Sequence, residues 1–424
     1  MTTRTCRFCQ SPLEHTFVDL GTSPLCESYV EPSRQEQMEP FYTLHVYVCA
    51  NCFLVQVEEI EKAENIYSDY AYFSSYSDSW LRHAQTYVEM TIARFNLDQR
   101  HQVIEIASND GYLLQYFVAK GIPALGIEPA ANIAAVAVKK GIPTVVEFFG
   151  EAAAKKLVAK GTQADLLVGN NVLAHVPKLN DFVEGLKIAL KPQGVLTMEF
   201  PHLMRLMAEN QFDTIYHEHF SYLSLITVEK VFAAHGLALF DVEELSTHGG
   251  SLRIYACYAT DDSRTRSPHV DDLKAREVAA GLTRLETYFT FPEKVKETKR
   301  KLLEFLISAK RAGKTIVGYG APGKGNTLLN YCGIRTDFVD FTVDRSPHKQ
   351  GLLLPGSRIP IYHPDKIREA RPDYLLILPW NLKDEVMQQM AFIGEWGGQF
   401  VVPIPEVTVY PARSTQANHR RQER

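Results

Sequence analysis

Between residues 101 and 199, short apolar runs alternate with stretches whose apolar positions recur every three or four residues. The first run, inside His101–Gly111, predicts a strand that meets the polar, glycine-ended turn Ala107–Gly111, followed by a helix over Tyr112–Ala119. The pattern then predicts a strand Ala124–Ile127 ending in Glu128, a helix Asn132–Lys139, and strands Thr144–Glu147 and Asp165–Gly169. A helix Leu179–Ala189 and a strand Val195–Glu199 complete the series. Strand and helix alternation at this spacing predicts a doubly wound parallel α/β sheet. An amphipathic helix over Trp80–Leu97 precedes it, and a charged helix over Pro292–Lys310 follows. Beyond that helix, Thr315–Gly320, Phe338–Val343, Tyr374–Leu378 and Gln399–Val402 predict a second, smaller α/β domain. The N-terminal stretch reads differently, with short strands such as Tyr42–Val48 and a Leu20–Leu25 turn, and the last dozen residues read as a solvated tail.

The length of 424 residues gives two or three domains at roughly 150 residues each. With 45% apolar and 22% charged residues the chain reads as globular, which excludes a disordered or collagen-like protein. No apolar run approaches the roughly 18 residues of a membrane-spanning helix. A net charge of −5 argues against nucleic acid and anionic membranes as partners, and no obligate protein partner is evident. The N-terminus lacks a signal-type apolar segment, so the expected location is cytoplasmic, with reduced cysteines.

Four of the seven cysteines form two pairs, Cys6-x-x-Cys9 and Cys49-x-x-Cys52. Two such knuckles present four thiolates to one tetrahedral Zn2+, and a site closed by four protein ligands holds a module together without catalysing anything. Unrelated buried thiols or a redox pair are the alternatives. Cys26, Cys257 and Cys332 read as core residues.

In an open α/β sheet the ligand sits at the carboxyl ends of the strands. The turn Glu105-x-Ala107-x-Asn109-Asp110-Gly111 lacks the three-glycine dinucleotide fingerprint and is acidic, which suits a cationic ligand. Glu128 stands where a carboxylate can take both hydroxyls of a ribose, Glu147 and Phe148 where an adenine edge and face can rest, and Asn170 and Asn171 at the fourth strand end. S-adenosylmethionine combines these features, with NAD as the competing cofactor. After the fifth strand comes Tyr216-His217-Glu218-His219, a dense acid/base set suited to taking a proton from carbon. The same residues could bind a metal, but they lack the HExxH spacing. In the second domain, Gly318-Tyr319-Gly320-Ala321-Pro322-Gly323-Lys324 opens a helix whose amides and lysine could cradle a diphosphate. Asp344 ends the next strand, with Lys349 as a phosphate contact, Trp380 and Asn381 as base contacts, and His248-Gly249-Gly250 as a loop suited to sugar contact.

Taken in order, the two cysteine pairs, Leu20-Gly21-x-x-Pro24-Leu25, Glu105-x-x-x-Asn109-Asp110-Gly111, Asn171-x-Leu173-x-His175-Val176-Pro177, Phe212-Asp213-x-Ile215-Tyr216-x-Glu218-His219-Phe220, His248-Gly249-Gly250-Ser251-x-Arg253 and Gly318–Ala321 resemble the nucleotide-sugar C-methyltransferases that add branch methyls to deoxysugars. The resemblance implies a class I methyltransferase Rossmann-like core, an N-terminal four-cysteine zinc module and a second C-terminal Rossmann-like domain. It divides the chain into 1–66, 67–285, 286–410 and a tail 411–424. It also implies S-adenosylmethionine, structural zinc and a dTDP-type NDP-4-keto-deoxysugar methylated at carbon 3. Its catalytic positions fall on Tyr216, Glu218 and His219, with His175 and a tyrosine of the 67–76 stretch; Tyr70 is favoured, and Tyr72 is assigned to substrate. His217 matches no fixed motif position. The rival functions are an O- or N-methyltransferase, an NAD-dependent nucleotide-sugar oxidoreductase or epimerase, and a zinc-dependent binding module.

Overall fold

The structure is a computed structural model describing residues 4–67 and 72–412. It divides into two compact units, one of Met1–Thr16, Val46–Arg205 and Glu218–Tyr288, the other of Phe17–His45, Leu206–His217 and Phe289–Arg424. Among the described residues no helix is long and apolar enough to cross a membrane.

The first unit is built on a seven-stranded sheet whose order is Leu237–Leu245, Ser251–Tyr258, Leu190–Pro201, Ala164–Asn170, Val103–Ile106, Ala124–Ile127, Thr144–Val145. Val103–Ile106 is parallel to both its neighbours, and the chain winds outward from it in both directions. Its end is therefore the switch point at which such sheets bind ligands. All four residues of this strand are buried, as expected for a strand covered on both faces. The helix Asp78–Phe95 begins at Ser77, whose side chain accepts from the Trp80 amide, and stops at Asn96 in the left-handed conformation. Its buried face is Trp80, Ala84, Tyr87, Val88 and Thr91, the spacing of one helical stripe.

Some elements differ from the periodicity in extent, and others do not show in it. The helix expected from Tyr112 starts at Leu114, and the strand expected to reach Glu147 stops at Val145. The helix Glu151–Ala159 is an addition to the expected series. So is the hairpin of Leu237–Leu245 and Ser251–Tyr258, in which Ser251–Tyr258 runs antiparallel to the strand Leu190–Pro201. The hairpin is hidden because its strands carry Asp241, Glu243 and Arg253: Asp241 binds Arg94 at 2.6 Å and Arg253 binds Glu199 at 3.1 Å on other elements, and Glu243 pairs with Arg253 across the hairpin.

The N-terminal part of this unit pairs Val46–Val48 with Val55–Val57, and Val55–Gln56 with Ser221–Tyr222.

The second unit carries a six-stranded sheet ordered Ile361–Tyr362, Thr342–Val343, Ile316–Tyr319, Tyr374–Ile377, Gln399–Val402, Thr408–Pro411, with only the last strand antiparallel. The expected strand Phe338–Val343 shrinks to Thr342–Val343. The long helix Phe291–Arg311 packs Val295, Leu302 and Leu306 inward, and Phe17 stacks on Phe291 at 4.7 Å between ring centroids.

Candidate active site and zinc centre

The four cysteines of the two pairs come together with their sulfurs all within 4.8 Å of one another. Each knuckle closes in the same way. The Gln10 amide donates to the Cys6 carbonyl and the Phe53 amide to the Cys49 carbonyl, both at 3.0 Å, and Gln10 and Phe53 each take a left-handed backbone. Two matched turns aiming four thiols at one point fit a tetrahedral four-thiolate zinc site. Zinc supplies a crosslink there, and Gln56 Nε2 at 3.2 Å from Cys6 Sγ supports one ligand from outside.

At the switch point, the turn after Val103–Ile106 bends through Ala107, Asn109 and Gly111, all with positive φ. At Gly111 a Cβ would stand 2.2 Å from Ile142 Cδ1, so only glycine fits. Glu128 accepts from the Asn109 amide and the Ala130 amide, each at 2.9 Å, which fixes its carboxylate at the end of the second strand. Asn109 also receives the Ser74 amide at 2.9 Å. Glu105 is fully buried on the first strand, and burial pushes its pKa well above the ordinary carboxylate range. At the fourth strand end the Asn170 side chain is buried beside Tyr112. A braced carboxylate and a buried amide at the switch point fit an adenosine-bearing cofactor. Phe148 is exposed nearby in sequence, whereas Glu147 pairs with Lys156.

The imidazoles of His175 and His219 meet edge to face at 4.6 Å between centroids. His175 ends the short turn Leu173–His175 after the fourth strand. Burial lowers its pKa to about 4, so it is neutral at neutral pH. Its Nδ1 is 2.9 Å from the Tyr67 hydroxyl, which also lies 3.4 Å from the Glu218 carbonyl. Glu218 is buried at 2% exposure. Tyr70 lies outside the described residues, and Tyr72 is exposed with its carbonyl taking the Asn109 side-chain amide. Tyr67 is one of the four tyrosines that crowd the 67–76 stretch, and spacing alone does not choose among them. His217, which matches no fixed motif position, is buried with Nε2 3.2 Å from the Thr43 carbonyl. His248 adopts a left-handed backbone and meets the Asn171 side chain at 3.0 Å, with Gly249 and Gly250 also at positive φ. Glu199, fully buried, holds this loop through Thr247 at 2.8 Å and is itself held by Arg253 and His83. That network leaves no signal in the sequence, because its members are far apart along the chain.

Tyr216 belongs to the second unit, where its ring lies beside Gly323. There Gly320 turns at φ 89°, and a Cβ on it would collide with Pro379 at 2.6 Å. Asp344 braces the turn by accepting from the Ala321 and Ser346 amides at 2.7 and 2.8 Å. Lys349 is buried and donates to the Ala321 carbonyl at 3.0 Å, with Glu27 3.3 Å away. Lys324 lies over the Trp380 ring at 4.6 Å and donates to Asn381 Oδ1 at 2.8 Å. Trp380 in turn donates to Asp213 at 2.7 Å. Asp213 is fully buried, which raises its pKa to about 6, while burial lowers that of Lys324 to about 8. In the sequence Asp213 stands out only as a motif position; its partner is 167 residues away.

Three family models match the chain: a zinc binding domain over residues 6–67, a methyltransferase domain over 80–242 and a C-methyltransferase C-terminal domain over 246–405. The chain is 34% identical over 410 residues to the C-methyltransferase NovU of Streptomyces niveus, with 97% of each chain covered. Among solved structures it is similar to the magnesium protoporphyrin IX methyltransferase of Synechocystis PCC 6803, at 16% identity, with 46% of this chain and 88% of that chain covered and a TM-score of 0.33. The PH0226 protein of Pyrococcus horikoshii OT3 matches at 14% identity, with 47% and 99% covered and a TM-score of 0.37. With four clustered cysteines at one end and a cofactor-type switch point in its first sheet, the chain belongs to the zinc-containing, S-adenosylmethionine-dependent C-methyltransferases.

Proposed function

We propose that the acceptor is a sugar, an NDP-4-keto-deoxyhexose of the dTDP type, methylated at carbon 3 in branched deoxysugar biosynthesis in the cytoplasm. The observation that carries this reading is the His175–His219 pair, 4.6 Å apart between ring centroids, with the Tyr67 hydroxyl at His175 Nδ1. Carbon methylation next to a ketone needs a base for the carbon-bound proton and donors for the oxygen that gains charge. His219 takes the proton from carbon 3, and the electron pair left behind moves onto the carbonyl oxygen at carbon 4. Glu218 orients that base and stabilises its cation, and Tyr216 keeps the catalytic role that its motif position implies. His175, kept neutral by burial and fixed by Tyr67, donates to the developing oxyanion. Tyr70 remains a further candidate donor outside the described residues. S-adenosylmethionine supplies an electrophilic sulfonium methyl for the enolate carbon.

The cofactor is assigned to Glu105, Ala107, Asn109, Gly111, Glu128, Glu147, Phe148, Asn170 and Asn171. The sugar is assigned to Tyr72 and the His248–Gly250 loop. The nucleotide diphosphate is assigned to Gly320, Ala321 and Lys324, with Asp344 and Lys349 shaping the turn and Trp380 and Asn381 meeting the base. The direct test incubates the enzyme with S-adenosylmethionine and a panel of NDP-4-keto-deoxysugars under mass spectrometry. A methylated sugar whose new methyl carbon is bonded to carbon 3 is expected. Methylation at oxygen, or none across the panel, would reject the assignment.

A further inference from the structure

The zinc knuckle carries an arginine that meets Gln56 on the metal side and reaches away from the metal with the rest of its guanidinium. Arg7 sits between Cys6 and Cys9. Its backbone amide donates to Gln56 Oε1 at 2.9 Å, and its guanidinium donates to the Val57 carbonyl and, at 3.4 Å, to the Val176 carbonyl. The same guanidinium lies over the Phe220 ring, 5.4 Å from its centroid. Val176 follows His175, and Phe220 follows His219. The Val57 amide donates to the Phe220 carbonyl at 3.0 Å, so Arg7 and the strand beside it hold the same residue from two sides. The knuckles themselves are tied down independently. Asn180 Nδ2 donates to the Phe8 carbonyl at 2.9 Å, and Thr227 Oγ1 donates to the Cys52 carbonyl at 3.1 Å.

We propose that Arg7 is a positioning residue that sets the His175–His219 pair, making the zinc centre part of the geometry of the reaction as well as of the fold. The inference rests on the catalytic reading of those histidines given above. A planar guanidinium can bridge two carbonyls and stack on a ring at once, which a lysine ammonium cannot do. The zinc holds the knuckle, the knuckle aims Arg7, and Arg7 fixes the residue after each imidazole.

The test uses full-length protein labelled with 15N at histidine, the two ring signals being assigned with His175→Gln and His219→Gln. In zinc-loaded Arg7→Met, both signals are expected to move while those of the remaining histidines stay. On a dTDP-4-keto-deoxyhexose, turnover is expected to fall at least about tenfold, the scale of a misplaced catalytic group. S-adenosylmethionine affinity should hold, and added guanidinium should restore part of the turnover. Where Arg7→Met loses zinc, Arg7→Lys and Phe220→Leu decide the question by the same signals. A zinc-loaded variant with both signals and turnover at wild-type values overturns the proposal. Full activity in His219→Gln would instead remove the catalytic reading, and the ring signals would still show whether Arg7 positions the pair.

Discussion

In the first unit, Glu128 takes one amide from the turn before it and one from the residue two positions after it, Asn109 and Ala130. In the second unit, Asp344 does the same with Ala321 and Ser346. Both carboxylates end the second strand of a strand-turn-helix-strand unit, and both brace the turn that follows the first strand. The groups placed around the two turns differ in charge. Around the first are Asp110 and Glu128, with Glu105 held toward its neutral form by burial and Lys140 bound to Asp110 at 3.3 Å. At the second are Asp344 and the Lys349–Glu27 pair, with Lys324 set over Trp380 as a further cation. On the assignments proposed above, one backbone device would serve two ligand chemistries, with the side chains around it deciding which. An acidic surround suits a sulfonium-bearing cofactor, and a lysine at a helix start suits a diphosphate.

Variants that touch one unit and spare the other sharpen this comparison. The largest effect is expected from His219→Ala, with turnover lower by roughly 10²–10⁴-fold, the usual contribution of a general base, and with affinity for S-adenosylmethionine within a few-fold by calorimetry. Next come the braces. Hydrogen bonds to a charged acceptor contribute about 1.5–3 kcal/mol each, so Glu128→Ala is expected to weaken S-adenosylmethionine by roughly ten- to a hundredfold and leave dTDP binding alone. Asp344→Ala should show the reverse pattern, and a loss of both ligands in either variant would break the comparison. Lys324→Met should weaken dTDP by roughly tenfold, as expected for removing one charge-assisted contact, with no change in the cofactor.

The smallest effect is a pH dependence. Burial lowers the Lys324 pKa to about 8, so the amine is charged below that pH and neutral above it. Affinity for dTDP should therefore fall as pH rises from 7 to 9 in the wild type, and stay flat over that range in Lys324→Met.

The parts of the chain that can be read from its sequence are those in which neighbours in sequence are neighbours in space. The strands Ala124–Ile127 and Gln399–Val402 and the helix Leu179–Ala189 have the extents their periodicity predicts. The cysteine pairs converge as their spacing implies. What stays hidden depends on distant partners. Glu199 is buried because His83, Thr247 and Arg253 meet it from three other elements. Asp213 is buried against Trp380, and Tyr67 reaches His175 across 108 residues of chain. A period of two or 3.6 carries no information about such pairings. The hairpin that holds Arg253 is hidden for the same reason: a strand whose buried positions include paired charges does not look apolar.

The central claim is that carbon 3 of the acceptor is deprotonated at His219 before it gains a methyl. The most direct measurement follows deuterium placed at that carbon of a dTDP-4-keto-deoxysugar. The account predicts that the label washes into solvent as methylation proceeds, and that His219→Ala stops both the washout and the methyl transfer. Deuterium kept at carbon 3 in the methylated product, or washout undiminished in His219→Ala, would contradict it.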